Sequence, residues 1–311
     1  MSAFPDDCVL HCPESELAVL IGKSPRLEQH SGIARLSNRY LAKAYDPASA
    51  EDTLEAVEVA HRLGIRVPRF VRSVRCGDMV FAMERVEGDT LQDAWPSLGW
   101  WRSLRLALQL RRFILKMRSV TSKTAGSLVT GDCRSFWLDD HFGLPARAMP
   151  SDISAFFTFW ANFISIRQEL KKDSHHHSSL TGIPPLSLSR LVFTHHDLAP
   201  RNMVVDSSNG LWLLDWDFAG FYPAYFEYAS MYNFTLPPDW DILSRIRWNL
   251  FTWIAAGRPE KESRLLRIAR SKFLRFGAGR RCSIRAQATK SRRHGQIVSD
   301  SKASDSSTEE D

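Results

Sequence analysis

Cysteine is scarce in this chain of 311 residues. Its five copies, Cys8, Cys12, Cys76, Cys133 and Cys282, are odd in number and widely scattered. They form neither a disulfide framework nor a C-x-x-C pair, so reduced thiols in a cytoplasmic setting are expected. Long apolar runs are missing as well. Residues 249–256 make one of the longest, far short of the roughly 18 that a membrane span needs, and no membrane partner is expected. The first residues, Met1-Ser2-Ala3-Phe4-Pro5-Asp6-Asp7, lack the basic stretch and apolar core of a secretory signal. Charge of one sign is barely in excess, 41 Lys and Arg against 35 Asp and Glu, a net +6 that suits an anionic ligand. No RNP-like, zinc-finger or helix-turn-helix pattern marks a nucleic-acid binder. Nothing in the sequence sets an oligomeric state.

What is present is the material of cores. Hydrophobic residues make 44% and charged residues 24%, with 18 Phe and 10 Trp. These proportions and this length suit two modest domains or one bilobal unit. From Gly32 to Val86 the text reads as short strands around one helix. Residues 39–45 have the bulk of a strand, residues 48–63 have a helical apolar face closed by Gly64, and residues 67–71 and 79–83 read as two more strands joined at Cys76-Gly77-Asp78. Residues 84–88 are polar, end in Gly, and read as a hinge.

Beyond the hinge the period becomes helical. Trp101, Leu104, Leu108 and the Phe113, Ile114, Met117 group form one stripe, with Arg102, Arg105, Arg111 and Arg112 opposite, and this stripe is assigned to the core. Ile153, Phe156, Phe157, Trp160, Phe163 and Ile164 form a second, finishing near Lys171-Lys172. Residues 240–256 and 260–276 are two more helices. Cys8 and Cys12 are expected as free thiols in a mobile N-terminus, and the adjacent histidines at 175–177 as polar loop. The composition divides the chain into residues 1–86, a helical part over 87–277, and a polar tail over 278–311 expected to be disordered. The tail's basic block is a possible nuclear address.

The chemistry concentrates in residues 191–228. An apolar approach, Leu191-Val192-Phe193, leads to His195-His196-Asp197, and Asn202 follows five residues after Asp197. Met203-Val204-Val205 and Leu211-Trp212-Leu213-Leu214 flank a turn over 207–210 and read as a hairpin. Counting outward from that turn pairs Asp206 with Leu211 and sets Asn202 opposite Asp215. An amide oxygen and a carboxylate emerging together near Asp197 would suit a magnesium ion on a nucleotide phosphate.

H-x-D-x4-N followed by a strand ending in Asp is the active-site text of kinase-like phosphotransferases. With Asp215-Trp216-Asp217-Phe218-Ala219-Gly220, the segment resembles the aminoglycoside phosphotransferase family, especially its fungal branch. The likeness extends to Val67-Pro68-Arg69 and to residues 83–91, and so covers about 32–235. It implies an α+β, bilobal protein-kinase-like fold: a small antiparallel-sheet N-lobe with one main helix, and a larger, mainly helical C-lobe. It implies transfer of the γ-phosphoryl of ATP or GTP, with Mg2+, to a hydroxyl or amine of a small-molecule acceptor. Asp197 then resembles the catalytic base and His195 a structural residue of its loop. Asn202 and Asp215 resemble the magnesium ligands, with Asp217 at a further acidic position. Lys43 resembles the lysine on the α- and β-phosphates, with Glu51, Asp52 or Glu55 as its partner, and Glu84, Arg85 and Val86 would offer backbone groups to the adenine.

Three departures stand out. No G-x-G-x-x-G precedes Lys43. His196 occupies a position that is usually Gly in relatives. Arg201 reads equally as a phosphate contact or a solvent-facing side chain. A protein kinase is a competing reading, weakened by Asp215-Trp216-Asp217 in place of D-F-G and by the lack of A-P-E. A catalytically silent kinase-fold binder is another. A metallohydrolase built on His195, His196 and Asp197 lacks a second ligand cluster.

Overall fold

Alternating bulk along Tyr40–Tyr45 makes a central strand, and the chain around it forms an antiparallel sheet. The computed structural model of the protein describes residues 4–27, 30–76, 78–138, 144–163, 190–232 and 234–275. Gly77, the lysines at 171–172, the histidines at 175–177, Cys282 and the tail over 278–311 lie outside the described residues. The first five strands are β1 (Arg26–Leu27), β2 (His30–Arg35), β3 (Tyr40–Tyr45), β4 (Phe70–Cys76) and β5 (Asp78–Glu84), ordered β1-β2-β3-β5-β4. Two helices precede them, α1 (Asp6–His11) and α2 (Glu14–Lys23). Their Val9, Leu17 and Ile21 are buried with Leu36, Tyr40, Val74 and Val80 of the sheet. The expectation of a mobile N-terminus is therefore corrected: apolar spacing at 9, 17 and 21 anchors it, while Cys8 and Cys12 are free thiols.

Helix α3 (Pro47–Arg62) starts with Pro at its first position, where no N–H is required, and closes at Gly64 with φ +63°. Strand β4 begins at Phe70 rather than at Val67, since Pro68 has no N–H for a ladder and Val67 is buried in the core below.

The rest of the described chain is mainly helical. It comprises β6 (Asp89–Thr90), α4 (Leu91–Ala94), α5 (Trp100–Ser119), β7 (Thr121–Ser122), α6 (Pro150–Asn162), β8 (Leu191–Thr194), β9 (Met203–Val205), β10 (Leu211–Leu213), β11 (Gly220–Pro223), α7 (Tyr225–Tyr232), α8 (Ile242–Ala256) and α9 (Glu260–Arg275). Two small sheets, β10-β9-β6 and β11-β8-β7, flank the segment between β8 and β9. Gly88 sits where the chain crosses to the first of them. A Cβ there would come within 2.2 Å of the Val205 carbonyl oxygen, so only Gly permits that approach. The fold is thus α+β, with an antiparallel sheet first and a mainly helical part after, as expected.

Helix α8 begins at Ile242, because the Asp241 side chain accepts the Ser244 N–H at 2.8 Å and caps it there. Trp240 instead stacks on Trp95, ring centres 5.7 Å apart, in a buried aromatic group with Trp248 and Phe251. Helix α5 corrects a further expectation. The stripe that enters the core is Leu106, Leu110, Ile114 and Met117, while Trp101, Leu104 and Leu108 are exposed. The helix carries two apolar stripes, and periodicity alone cannot choose between them.

Candidate active site

The loop between β8 and β9 is built around His195. Its ring is buried against Trp216, with centroids 4.4 Å apart. Nε2 lies 2.8 Å from the Leu214 carbonyl oxygen, and Nδ1 accepts the Asp197 N–H at 3.3 Å. One nitrogen must donate and the other accept, which defines the neutral tautomer. Burial agrees, holding the ring's pKa down at about 4. His195 thus ties the loop to the strand end that carries Asp215.

Asp197 follows. Asn202 Nδ2 donates to its backbone oxygen at 2.9 Å and to Oδ2 at 2.8 Å, closing the x4 interval into one turn. Arg201 donates to Oδ1 and Oδ2 at 3.1 and 2.8 Å and lies over the Phe234 ring at 5.6 Å. Burial raises the Asp197 carboxyl above its usual range, opposed by the Arg201 charge.

The hairpin departs from the expected register by one residue. Val205 faces Leu211 and Met203 faces Leu213, so Asn202 meets Leu214, whose N–H bonds the Asn202 carbonyl at 2.8 Å. The cause is the turn. Asp206 closes on Gly210 across three residues, with Asn209 left-handed at φ +60°. Asp215 therefore falls just past the paired strands, itself at φ +64°.

From the sheet, Lys43 reaches across the chain. Its Nζ is 2.6 Å from Asp215 Oδ1 and 2.9 Å from Asp217 Oδ2. The ammonium also sits over the Tyr45 ring at 4.9 Å. Burial and the neighbouring Asp215 charge lift the Asp217 carboxyl to about 6, while Lys43 lowers that of Asp215 against the effect of burial. Asp217 Oδ1 is buried and has no hydrogen-bond partner among the described residues. Two carboxylates sharing one cation, one of them with an oxygen unused, make a donor set that a hard divalent ion fits. Among the described residues no three His, Cys, Asp or Glu side chains are grouped for a metal, so such a site needs the Asn202 amide.

None of the three acids expected against Lys43 meets it. Glu51 is exposed, and Glu55 pairs with Arg62 at 2.7 Å. Asp52 is buried and faces the other way. It accepts from the N–H groups of Val129 and Thr130 at 2.8 and 3.0 Å, from Thr130 Oγ1 at 2.7 Å, and from Arg134. The hinge is also partly committed. The Glu84 N–H bonds the Arg69 carbonyl at 2.9 Å and the Arg85 N–H bonds that of Arg39 at 2.7 Å.

With this geometry in view, the comparisons with known proteins are decisive at the family level. The model of the family described as "APH: Phosphotransferase enzyme family" matches residues 30–259. The chain belongs to that family. Among solved structures it is similar to a thermostable mutant of aminoglycoside phosphotransferase APH(4)-Ia, at 14% identity, TM-score 0.48, over 83% of this chain and 89% of that one. It is also similar to aminoglycoside phosphotransferase APH(3'')-Id from Streptomyces rimosus, in complex with ADP and streptomycin, at 14% identity, TM-score 0.47, over 88% and 100%. A third is spectinomycin phosphotransferase APH(9)-Ia bound to AMP, at 12% identity, TM-score 0.45, over 80% and 81%. No curated protein matches the chain.

Two features of this APH-family loop escape sequence reasoning. Glu227 on α7 is 1% exposed, and its carboxylate accepts the His195 and His196 N–H groups at 2.8 and 3.1 Å. Burial lifts its pKa to about 7. A lone carboxylate in the apolar run of residues 221–232 was the available signal, because a charge enters such a helix only when it is bonded. His196 stands at φ +72°, which explains why Gly suits that position. Its ring fills a pocket beside Tyr222 and Phe226, with Nε2 2.7 Å from Ser135 Oγ.

Proposed function

We propose that the protein transfers the γ-phosphoryl of ATP or GTP to a hydroxyl or amine of a small molecule. The observation that carries this reading is the Lys43 ammonium bridging Asp215 and Asp217. It joins the sheet to the segment after β10, which His195 ties to the loop carrying Asp197 and Asn202. In this reading residues 1–86 cover the nucleotide and residues 87–277 supply the acceptor pocket.

Asn202, Asp215 and Asp217 are the residues that would hold magnesium. Such an ion would supply positive charge to offset that of a nucleotide's phosphates. Lys43, the cation beside these carboxylates, would contact the nucleotide phosphates. Val86, whose N–H makes no hydrogen bond among the described residues, would offer it to the adenine edge, since those of Glu84 and Arg85 are used within the protein. Asp197 orients the acceptor hydroxyl and takes its proton. Arg201 and Asn202 fix the carboxylate's direction, and burial keeps its basicity above that of a free aspartate.

The test is nucleotide consumption over a metabolite panel with magnesium, comparing wild type with Asp197→Asn. Loss of at least about a hundredfold in turnover is expected on the responding acceptor. Equal rates would remove Asp197 from the role. If the wild type bound magnesium–nucleotide in a thermal-shift assay yet consumed none with any acceptor, a silent binder would replace the enzyme reading. A ligand at 100 times its dissociation constant adds about 2.7 kcal/mol, so binding is easily seen.

A further inference from the structure

Helix α5 buries one apolar stripe and shows the other to solvent. On the outer stripe Trp101 is 76% exposed and Leu115 52%, with Leu104 and Leu108 between them. Its neighbour α8 repeats the division. Ser244, Trp248, Phe251 and Ala255 are buried, whereas Ile242, Leu243, Ile246 and Trp253 are exposed, Ile242 at 76%. A groove of about 350 Å3 separates the helices, with Trp100, Trp101 and Leu104 on one wall and Leu250 and Ile254 on the other. Leu250 lies one turn after Ile246, so the groove runs into the outer stripe of α8. Exposed apolar patches rimmed by polar residues mark protein or membrane interaction sites.

The charges on these helices have one sign. Helix α5 carries six basic residues and α8 two, and neither has a carboxylate. Arg102, Arg105 and Arg112 are exposed and make no ion pair among the described residues. A second cavity of about 390 Å3 shares Trp101, Leu104 and Leu108 with the apolar stripe and is bordered by Arg66, Arg105 and Arg112. Arg66 approaches Asp206 only to 3.8 Å. The carboxylate at the start of α8, Asp241, is occupied as its cap.

This pattern selects among occupants. A second copy meeting the face symmetrically would set the exposed Arg102, Arg105 and Arg112 against the same three arginines, with no acid on either helix to relieve them. A helical peptide needs a deep slot, but the groove holds a few side chains only, and Trp101 and Ile242 project outward. A bilayer surface accepts projecting Trp and aliphatic side chains at its headgroup level and pairs flanking arginines with lipid phosphates. That no helix among the described residues is long and apolar enough to cross a membrane does not bear on contact with a surface.

We propose that the α5–α8 face docks on an anionic lipid bilayer, Trp101, Leu104, Ile242 and Ile246 entering the headgroup–acyl boundary while Arg66, Arg105 and Arg112 meet lipid phosphates. The inference stands independently of the phosphotransferase reading, since it uses no residue of the candidate active site. It would bring the protein to acceptors or partners held at a membrane.

Co-sedimentation of the full chain with vesicles tests it. Phosphatidylcholine alone is compared with phosphatidylcholine carrying roughly one third phosphatidylserine. Binding to the anionic vesicles is expected to be at least tenfold stronger, and to weaken several-fold when salt rises from about 0.1 to 0.5 M. The double variant Trp101→Glu, Ile246→Glu should lose at least tenfold while keeping the wild-type circular dichroism and melting temperature, because both positions are exposed. Should that variant not fold, Arg105→Glu and Ile242→Ser singly are each expected to weaken binding several-fold. Unchanged binding by the variants would overturn the proposal and assign the affinity to the basic residues of the tail. Absence of binding to either vesicle would overturn it too, as would self-association in sedimentation velocity abolished by Trp101→Glu.

Discussion

Asp206 and Glu227 are two of the carboxylates in this protein that hold backbone N–H groups, and they titrate in opposite directions. Asp206 accepts from the Ser208 and Gly210 N–H groups at 2.9 and 2.7 Å, from Ser208 Oγ at 2.6 Å and from Trp212 Nε1 at 2.8 Å. Near the surface, these bonds hold its pKa down at about 2. Glu227 accepts two N–H groups from the loop between β8 and β9, yet its pKa is lifted to about 7. The donors resemble each other; the surroundings do not. Four donors outweigh partial burial at Asp206, whereas full burial outweighs two donors and the nearby Arg118 charge at Glu227. The hairpin turn is therefore fixed over the whole working range of pH, and the loop carrying Asp197 is held by a group that titrates near neutrality.

The largest expected break in this comparison is Glu227→Ala. Two buried N–H groups lose their acceptor, so unfolding free energy should fall by roughly 2–4 kcal/mol in chemical denaturation. Phosphotransfer, once an acceptor is found, should fall with it, because the His195 and His196 backbone beside Asp197 loses its anchor. A variant as stable as wild type would mean that water or a neighbour replaces the carboxylate.

Glu227→Gln sharpens the same point through pH. The folded pKa lies above the unfolded value of 4.5, so between about 4.5 and 7 the native state holds a proton that the unfolded chain has released. The stability due to this group is complete below 4.5 and is lost as pH rises through about 7. Wild type measured against Glu227→Gln should thus lose relative stability from pH 5 to 8, and a flat difference would contradict the buried titration. Asp206→Ala reverses the sign at smaller size. Its contribution is complete above pH 3.8 and disappears as pH falls toward about 2. At pH 7 the substitution should cost about 1–2 kcal/mol.

How much of this was legible in the sequence differs by residue. The strand carrying Lys43, helix α3, and the loop text of His195, Asp197 and Asn202 were readable, because periodicity and fixed spacing are local. The hairpin register was not, since it turns on Asn209 adopting a left-handed backbone, a choice made by three-dimensional closure. Asp52 is one of three acids, with Glu51 and Glu55, expected against Lys43 because they lie on the following helix. Its engagement with Thr130 and Arg134, 78 and 82 residues away, has no local sign. The choice between the two stripes of α5 was equally hidden, being made by whatever packs against the helix.

The hairpin turn offers the smallest and cleanest test of the comparison. Asn209 stands at φ +60°, its carbonyl accepting from Gln109 Nε2 at 3.0 Å, and Gln109 Oε1 in turn accepts the Leu211 N–H at 3.1 Å. This bracket and the Asp206 bonds hold the turn from both sides. A Cβ in left-handed backbone costs about 1–2 kcal/mol, which Asn tolerates better than Ala and Gly avoids. Asn209→Ala should therefore lower stability by about 1 kcal/mol, while Asn209→Gly should stay within about 0.5 kcal/mol of wild type. Both should leave the pH dependence assigned to Asp206 in place, since its acceptors bond Ser208, Gly210 and Trp212 rather than residue 209. Were Ala as stable as Gly there, the turn would have a different backbone.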